Sequence, residues 1–373
     1  MRLFHRSYTR DELMRRVGHI SQVGGVQLLE SADGPSRGVR LLEFRTGTGF
    51  CFRVGVDRGM DIGHCEYQGA SLAWIPPTLL AAPWYFEQQT EFGWLRTALG
   101  GLNNSCGMVH IGNPETDSVE HYNFPARPAE RYGVHDRMAL IPAELLGYGT
   151  RWEGDECILE AVGRVTQAQA YGENLVLTRR YQARLGESRL TMHDEVVNAG
   201  YLPTVHMLLY HINVGFPFVD DGAELIAPFA AEPAVLFGKV TEADEYKRFI
   251  APQRNWIQQT FEHRLNAGPD GRVPVAIVNS KLGREGQGVY AIYDGTRMPR
   301  YIEWRMMAEG QYAVGVEPCT NGFGREAVRR AGEMIVLAPG ESREYSLELG
   351  VLDGAAEIQK YREAVESLTT TRV

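Results

Sequence analysis

The amino-acid sequence predicts an all-β protein built as an antiparallel sandwich. Apolar segments rich in β-branched and aromatic residues recur at short intervals, and 41 of the 373 residues are glycine. Gly, Asn, Asp and Pro punctuate nearly all of these segments, as turns between strands require. No amphipathic helix separates them, which favours an antiparallel sandwich over a parallel α/β sheet. We therefore expect helices only at the two ends of the chain.

The N-terminal helix is predicted over residues of about 10–17. Thr9 and Glu12 have the spacing of a capping box, in which the glutamate reaches back to the threonine amide. Apolar residues follow at helical spacing until Gly18. A second helix is predicted over about 354–368, where apolar residues again recur every three to four positions.

The predicted strands lie between these two helices. They are 38–44, 49–56, 157–165, 175–182, 190–197, 204–211, 275–278, 289–293, 301–306, 312–316, 331–337 and 344–349. The stretch from Ile75 to Arg131 is predicted as loop, and a loop of that length is usually functional. Because no repeat or linker interrupts the chain, we expect a single domain, 1–373, with decorated loops.

Composition and charge narrow the class of protein. The 38 basic and 47 acidic residues give a net charge of −9, which argues against a nucleic-acid-binding surface. No stretch approaches the roughly 20 apolar residues of a membrane span. The charged N-terminus has no apolar region after it, so we expect no secretory signal and a cytoplasmic protein.

The spacing of the cysteines matches neither a disulfide framework nor a metal site. They are odd in number, scattered and without a CxxC pair: Cys51, Cys65, Cys106, Cys157 and Cys319. Such a pattern is typical of reduced cytosolic thiols rather than of disulfides or a zinc cage.

Glu317 is the first candidate for a catalytic residue. It follows the apolar strand 312–316 and precedes Pro318, in a segment that Thr, Asn and Gly also interrupt. The alternation of strand residues predicts a carboxylate at a strand's end rather than deep in a core. Two interpretations stay open, a solvated edge-strand glutamate and a catalytic base.

His211 and His135 are the corresponding candidates among the histidines. His211 ends the strand 204–211 before a Gly/Pro turn and is suited to general acid catalysis near neutral pH, or else bonds a carbonyl as a structural histidine. His206, five residues earlier, belongs on the opposite face of the sheet, which weakens a metal site built from both. His135 stands beside Asp136 and binds a polar ligand or forms an ion pair.

Arg58 and several large aromatic residues suit a polyhydroxylated ligand. Arg58, in the segment Asp57–Asp61, can donate several hydrogen bonds to such a ligand, or a tight turn held by Asp–Arg pairing explains it. The Gly-flanked segment 100–107 has no Lys and no GxGxxG spacing, so phosphate binding is not expected. One or two of several large aromatics are candidates for stacking on a sugar ring: Trp74, Trp84, Tyr85, Trp94, Trp152 and Trp304.

Taken in order, these motifs resemble the galactose mutarotase-like, or aldose 1-epimerase, superfamily, and most closely a branch of uncharacterised aldose-epimerase-like proteins. The resemblance extends from about Gly24 to Leu352. The segments that carry it are Asp57–Asp61, 100–107, His135, 197–213 and 317–321. It implies a large antiparallel β-supersandwich with short peripheral helices, whose concave face holds the sugar without a metal or cofactor.

The resemblance also implies roles for individual residues. Glu317 would take the proton of the anomeric hydroxyl, and His211 would give a proton to the ring oxygen. His135 would orient the sugar or stabilise its ring oxygen. Further contacts to the substrate would come from Arg58, Asn213 and Arg137.

The chain departs from the family pattern in three places. The segment Asn103–Ser105 differs from the Thr-rich version expected there. Asp136 stands where a glycine is usual, which narrows the pocket or adds a charge. No second carboxylate that binds the sugar can be placed, and Asp220 and Asp221 are candidates only.

Three functions therefore remain open. The first is interconversion of the anomers of a free or modified monosaccharide. The second is isomerisation, epimerisation or elimination on an oxidised or acidic sugar, with Arg58, Arg137 or a metal holding the acidic group. The third is carbohydrate binding without catalysis. A homodimer is possible on the sequence alone.

Overall fold

The computed structural model describes residues 1–87, 91–122, 128–242 and 244–370. The first strands are β1 Arg2–Leu3, β2 Arg6–Ser7, β3 Gly25–Glu30, β4 Arg40–Arg45, β5 Phe50–Gly55, β6 Asp61–Tyr67, β7 Ala70–Ser71, β8 Asn104–Met108, β9 Glu115–Ser118, β10 Ala129–Tyr132, β11 Glu144–Glu153 and β12 Glu156–Ala168. They continue as β13 Asn174–Arg184, β14 Arg189–Asn198, β15 Thr204–Gly215, β16 Glu224–Ile226, β17 Ala234–Phe237, β18 Gln259–His263, β19 Arg272–Asn279, β20 Gln287–Asp294, β21 Arg300–Ala308, β22 Gln311–Cys319, β23 Ile335–Leu337 and β24 Ser342–Asp353.

Helices are few and short. The α-helices of the described residues are α1 Arg10–Met14, α2 Arg325–Arg330 and α3 Ala355–Thr370. Single 3₁₀ turns lie at Ile20–Gln22, Gly34–Ser36, Pro83–Tyr85, Gly93–Arg96, Met138–Leu140 and Glu245–Lys247.

Three large sheets form the molecule. One has the strand order β11-β12-β13-β14-β24-β20-β19-β16, a second β17-β18-β21-β22-β15-β23 with β8 also on β15, and a third β3-β4-β5-β6-β7. Every pair of neighbouring strands in the described residues is antiparallel, which confirms the predicted all-β class. Isolated bridges from Ile62 to Asn103 and from Ala73 to Val214 tie the third sheet to the second.

The main core lies between the sheets, and β15 presents alternate residues to it. Its even-numbered residues Leu208, Tyr210 and Ile212 belong to the main apolar cluster. Its odd-numbered residues Met207 and Leu209 belong to a second, smaller cluster on the other side. We call the surface of the second sheet that is turned away from the main core the site face.

Both terminal helices are present, but the first is shorter than predicted. The capping box of Thr9 and Glu12 forms with both of its hydrogen bonds. The helix then ends at Met14, and a separate 3₁₀ turn begins at Ile20. α3 spans Ala355–Thr370 and covers the predicted 354–368 almost completely.

Several strands differ from the prediction. β15 continues four residues beyond His211, and β22 continues through Glu317 and Pro318 to Cys319, because each has hydrogen-bonded neighbours on both sides there. The long predicted loop contains β8, β9 and β10, while its residues 88–90 and 123–127 lie outside the described residues. Strand 331–337 is reduced to β23, with the unpredicted helix α2 before it.

Candidate active site

Glu317 and His211 face each other across two neighbouring strands. Leu209 pairs with Cys319 and Ile212 with Val316, so the register brings the two side chains opposite one another on the site face. The distance from His211 Nε2 to Glu317 Oε1 is 3.2 Å. This contact lacks the alignment of a hydrogen bond, and within the described residues neither Glu317 Oε1 nor His211 Nδ1 has a hydrogen-bond partner.

The position of Glu317 corrects the sequence prediction. It lies inside a central strand and is 2% exposed, so it is neither at a solvated end nor on an edge. Burial, followed by the charge of Glu303, raises the pKa of Glu317 well above the usual value. A buried carboxyl of this kind favours its protonated form.

His211 is perturbed in the opposite direction. Burial lowers its pKa to about 4, against a side-chain interaction with Asn213 that acts to raise it. Burial therefore favours the neutral form of both residues, the protonated carboxyl and the unprotonated imidazole, and in that state the pair holds a single proton. Moving this proton from the carboxyl to the imidazole would give a carboxylate and an imidazolium.

Gly315 makes room for the Glu317 carboxyl. A Cβ atom at Gly315 would lie 2.2 Å from Glu317 Oε1 and 3.1 Å from Trp304 Cβ. The two residues share the site face because they are two apart in β22. A glycine in the middle of an apolar strand, which often marks a close approach, is thus a signal of this site that the sequence analysis did not use.

His135 lies next to His211. Its ring meets that of His211 edge-on, with centroids 5.6 Å apart, and packs against Trp94 at 5.0 Å. Its Nδ1 accepts a hydrogen bond from the Gly112 N–H at 3.4 Å. Burial and the neighbouring His211 hold its pKa well below the usual value, so it is a neutral hydrogen-bonding group here.

An aromatic and amide wall borders the other side of the pair. The Trp304 ring lies 5.7 Å from that of His211 and 5.8 Å from that of Trp74, and its Nε1–H donates to Gln258. Both indoles are partly exposed. Asn213 lies beside His211, where its amide donates to the backbone carbonyls of His211 and Gly100. These two tryptophans are the best placed of the predicted stacking residues.

Arg58 is not a substrate contact, contrary to the prediction. Its side chain is fully buried, and its three nitrogens donate to the carbonyls of Ala81, Thr97 and Ala139 at 2.5–2.8 Å. Burial lowers its pKa to about 10. The three carbonyls belong to loops that carry Trp94 or follow His135, so Arg58 joins loops beside the site.

Replacing Arg58 tests this structural role. In Arg58→Met we expect the free energy of unfolding to fall by about 2–4 kcal/mol, because three buried carbonyls lose their donor while a desolvated charge is removed. Hydrogen exchange should rise together in the segments around Ala81, Thr97 and Ala139. The matched control is Arg305→Met, which removes another buried guanidinium that donates to one backbone carbonyl, that of Arg248, and to the Gln259 side chain. Unchanged exchange in the three loops of the first variant would contradict the role of Arg58.

Arg137 lies away from the carboxylate–imidazole pair. It donates to Glu173 at 2.9 Å and to the Ala168 carbonyl at 2.8 Å. It lines a cavity of about 500 Å³ whose wall includes Trp94 but neither member of the pair. Since Trp94 also contacts His135, the cavity adjoins the site. A substrate contact from Arg137 stays a prediction.

Asp136, the residue that departs from the family pattern, is held away from His211. Its Oδ2 accepts hydrogen bonds from Gln167 at 2.7 Å and from the Val109 N–H at 3.4 Å. Burial raises its pKa to about 6. The carboxyl therefore ties the His135 loop to the Val109 backbone and to the Gln167 side chain.

A buried ionic network supports the site from behind. Arg179 binds Asp61 and Asp194 at 2.7 Å each and donates to the Ser105 hydroxyl at 2.8 Å. The Tyr210 hydroxyl donates to Asp194. Since Ser105 and Tyr210 pair across β8 and β15, the network holds the two strands in register. Sequence reasoning singled out Asp61 only as part of a motif and missed the rest.

Two searches of the described residues bear on other classes of protein. They contain no group of three or more His, Cys, Asp or Glu side chains arranged to hold a metal ion. None of their helices combines the length and the apolar character needed to cross a membrane.

Comparison with known families places the chain. A family model described as a domain of unknown function, DUF4432, matches residues 36–351, so the chain belongs to that family. A search of curated proteins found no match.

Solved structures share the fold at low sequence identity. A provisionally assigned aldose 1-epimerase from Klebsiella pneumoniae has a TM-score of 0.81 and 19% identity, covering 93% of this chain and 88% of that one. A galactose mutarotase-like protein from Clostridium acetobutylicum has a TM-score of 0.58 and 15% identity, covering 87% and 98%. A galactose 1-epimerase from Lactobacillus acidophilus has a TM-score of 0.56 and 11% identity, covering 88% and 99%. The chain therefore has a galactose mutarotase-like fold, which confirms the resemblance.

Proposed function

We propose that the protein interconverts the anomers of a free or modified monosaccharide, as an aldose 1-epimerase. The observation that carries the proposal is the buried Glu317–His211 pair, with 3.2 Å between Oε1 and Nε2 and unpartnered polar atoms on both residues. Anomer interconversion requires a base and an acid that act at adjacent oxygens of one sugar. The adjoining Trp304 offers an aromatic surface against which a sugar ring can pack.

The reaction runs through the open-chain sugar. The Glu317 carboxylate takes the proton of the anomeric hydroxyl, the bond between the anomeric carbon and the ring oxygen breaks, and the ring oxygen receives a proton from His211. Rotation about the bond between the first and second carbons exposes the other face of the carbonyl. Ring closure by the reverse proton transfers gives the other anomer.

The single proton that the pair holds suits this order of proton transfers. Ring opening converts a carboxylate and an imidazolium into a carboxyl and a neutral imidazole. Burial favours that second state, because it raises the pKa of Glu317 and lowers that of His211. The starting state differs from it by one proton transfer across a short contact, and mutual attraction stabilises that charged state. His135, neutral and edge-on to His211, can accept or donate a hydrogen bond at the same sugar.

The geometry gives no support to an acidic substrate. That alternative relied on Arg58 or Arg137 to hold a carboxylate or keto group. Arg58 is occupied by three carbonyls, and Arg137 is paired with Glu173. A neutral sugar therefore fits the described residues best.

Anomer exchange measured by two-dimensional NMR tests the proposal directly. Each of a panel of neutral aldoses and of uronic acids is incubated with the protein, and the exchange rate above the spontaneous rate is recorded. We expect acceleration for at least one neutral aldose. Binding of a sugar without acceleration would instead support a carbohydrate-binding protein, and acceleration confined to acidic sugars would contradict the choice of substrate class.

The pH dependence of the rate is a further prediction. Activity requires one proton on the pair, so it falls below the pKa of His211, about 4, where both residues are protonated. It also falls above the raised pKa of Glu317, where the pair has lost its proton. The acidic limb should therefore lie near pH 4, whereas a histidine with the ordinary pKa of about 6.5 would place it near pH 6.5. An acidic limb near the ordinary value, after subtraction of the spontaneous rate, would contradict this account.

A further inference from the structure

Asn104 has an unusual environment directly beside His211. It opens β8 and is the residue paired with His211 in the register of β8 and β15. Residues paired in this way have their side chains on the same face of the sheet. Asn104 thus lies on the site face on one side of His211, with Glu317 on the other side.

The Asn104 amide makes no hydrogen bond within the described part of the chain. The side chain is completely buried, yet neither Oδ1 nor Nδ2 has a partner. An unmade hydrogen bond on a buried polar group is destabilising, so such groups are rare and usually serve a purpose. The preceding residue, Asn103, differs in part: its Nδ2 donates to the Ser105 hydroxyl at 3.1 Å, whereas its Oδ1 has no partner within the described residues.

The order of the three side chains matches the order of oxygens on a pyranose. Glu317, His211 and Asn104 follow one another across adjacent strands, which are spaced by about 4.8 Å. With Glu317 at the anomeric hydroxyl and His211 at the ring oxygen, the next group along the same edge of the sugar is the substituent of the fifth carbon. In an aldohexose that substituent is a hydroxymethyl group, which can both donate to Oδ1 and accept from Nδ2.

We propose that Asn104 binds the hydroxymethyl group of an aldohexose and thereby selects hexoses over 6-deoxyhexoses and pentoses. This inference rests on the proposed function. The amide is uncharged and both its oxygen and its nitrogen are unpartnered, so it recognises a hydroxyl. A sugar that lacks this hydroxyl leaves a buried amide unpaired, which is the situation in which binding sites discriminate most strongly.

The test compares one hexose with its 6-deoxy analogue, such as D-galactose with D-fucose and D-glucose with 6-deoxy-D-glucose. In the parent we expect kcat/KM for anomer exchange to favour the hexose by about 10- to 100-fold. In Asn104→Ala the preference should fall to within about threefold, through loss of activity on the hexose. This variant should fold well, because it removes a buried group that has no partner. The control Asn103→Ala removes an amide whose nitrogen is hydrogen-bonded, at the neighbouring position, and should keep the parent's preference.

The outcomes separate this inference from the function it rests on. Retention of the full preference in Asn104→Ala, or its absence in the parent, overturns the role of Asn104 while leaving anomer exchange intact. If the parent accelerates no aldose, the proposed function fails, and the same sugar pairs are then compared by ligand-observed NMR binding. A hexose preference in binding that Asn104→Ala abolishes would still support the assignment, and equal or undetectable binding by parent and variant would overturn it.

Discussion

Glu317→Gln is expected to lower the enzymatic rate of anomer exchange by about 10²–10⁴-fold, the usual contribution of a positioned acid–base group. Glutamine keeps the shape of the protonated carboxyl but cannot accept the proton of the anomeric hydroxyl. Gly315 leaves space for either side chain. The rate is measured by NMR exchange on the best aldose of the panel. A rate equal to that of the parent would remove Glu317 from the mechanism.

Thermal unfolding checks the folding of this variant independently. Unusually for a substitution in a buried site, we expect it to stabilise the protein at alkaline pH. Because the pKa of Glu317 is raised in the folded state, the stability that it contributes is present below the unfolded value of 4.5 and is lost as pH rises through the folded value. Glutamine cannot ionise and avoids that loss. Thermal unfolding should therefore show Glu317→Gln more stable than the parent at about pH 8 and similar to it at about pH 4. The catalytic control is Glu348→Gln. It replaces a largely buried carboxylate on β24, which belongs to the first sheet rather than to the sheet that carries the site, and it should keep the parent's rate.

His211→Gln is expected to lower the rate by about 10²–10³-fold. Glutamine can place an amide near the position of Nε2, but it cannot deliver a proton to the ring oxygen. The acidic limb assigned to His211 should also disappear from the remaining activity. The double variant with Glu317→Gln should be little slower than the slower single variant, because residues that act as a unit are not additive. Multiplicative losses would indicate that the two residues act separately.

The matched control for His211 lies on the same strand. His206 is five residues earlier and on the opposite face, where its ring nitrogens contact the Met108 carbonyl and the Tyr345 hydroxyl. His206→Gln should cost stability through these buried contacts and leave the pH profile of the reaction unchanged. A changed acidic limb in this control would mean that the limb does not report His211.

The class of fold and the two central side chains could be predicted from the sequence, for different reasons. Punctuated apolar segments report strands wherever turns are local. Glu317 and His211 emerged because each follows an apolar run, and the resemblance then linked them. Their proximity itself depends on the register of β15 and β22, which joins residues about a hundred positions apart. No local pattern encodes that pairing.

The extent of the strands was underestimated where tertiary pairing outweighs local preference. Pro318 suggested that the strand ends there. In the structure Pro318 lies within β22 and pairs with Tyr301 of β21. The same pairing buries Glu317, which the sequence placed at a strand's end. The burial that perturbs its pKa is thus a property of the assembled sheet.

Arg58 could not have been assigned from the sequence. An arginine in a polar turn suits a sugar contact or an ion pair equally well. Its actual partners are the carbonyls of Ala81, Thr97 and Ala139, and backbone carbonyls leave no trace in residue types. Asn104 was overlooked for a related reason, because its segment was noted only for lacking the glycine pattern of a phosphate loop and for differing from a Thr-rich family segment.

The alternation of faces in β15 has a consequence for how this protein can diverge. Leu208, Tyr210 and Ile212 pack in the main core, while His211 and Asn213 point to the site face. Substitutions at the even-numbered positions should therefore be filtered by thermal stability, and those at the odd-numbered positions by substrate choice. A mutational scan of this strand should separate the two traits residue by residue. A new sugar preference could then evolve along it without a compensating change in the core.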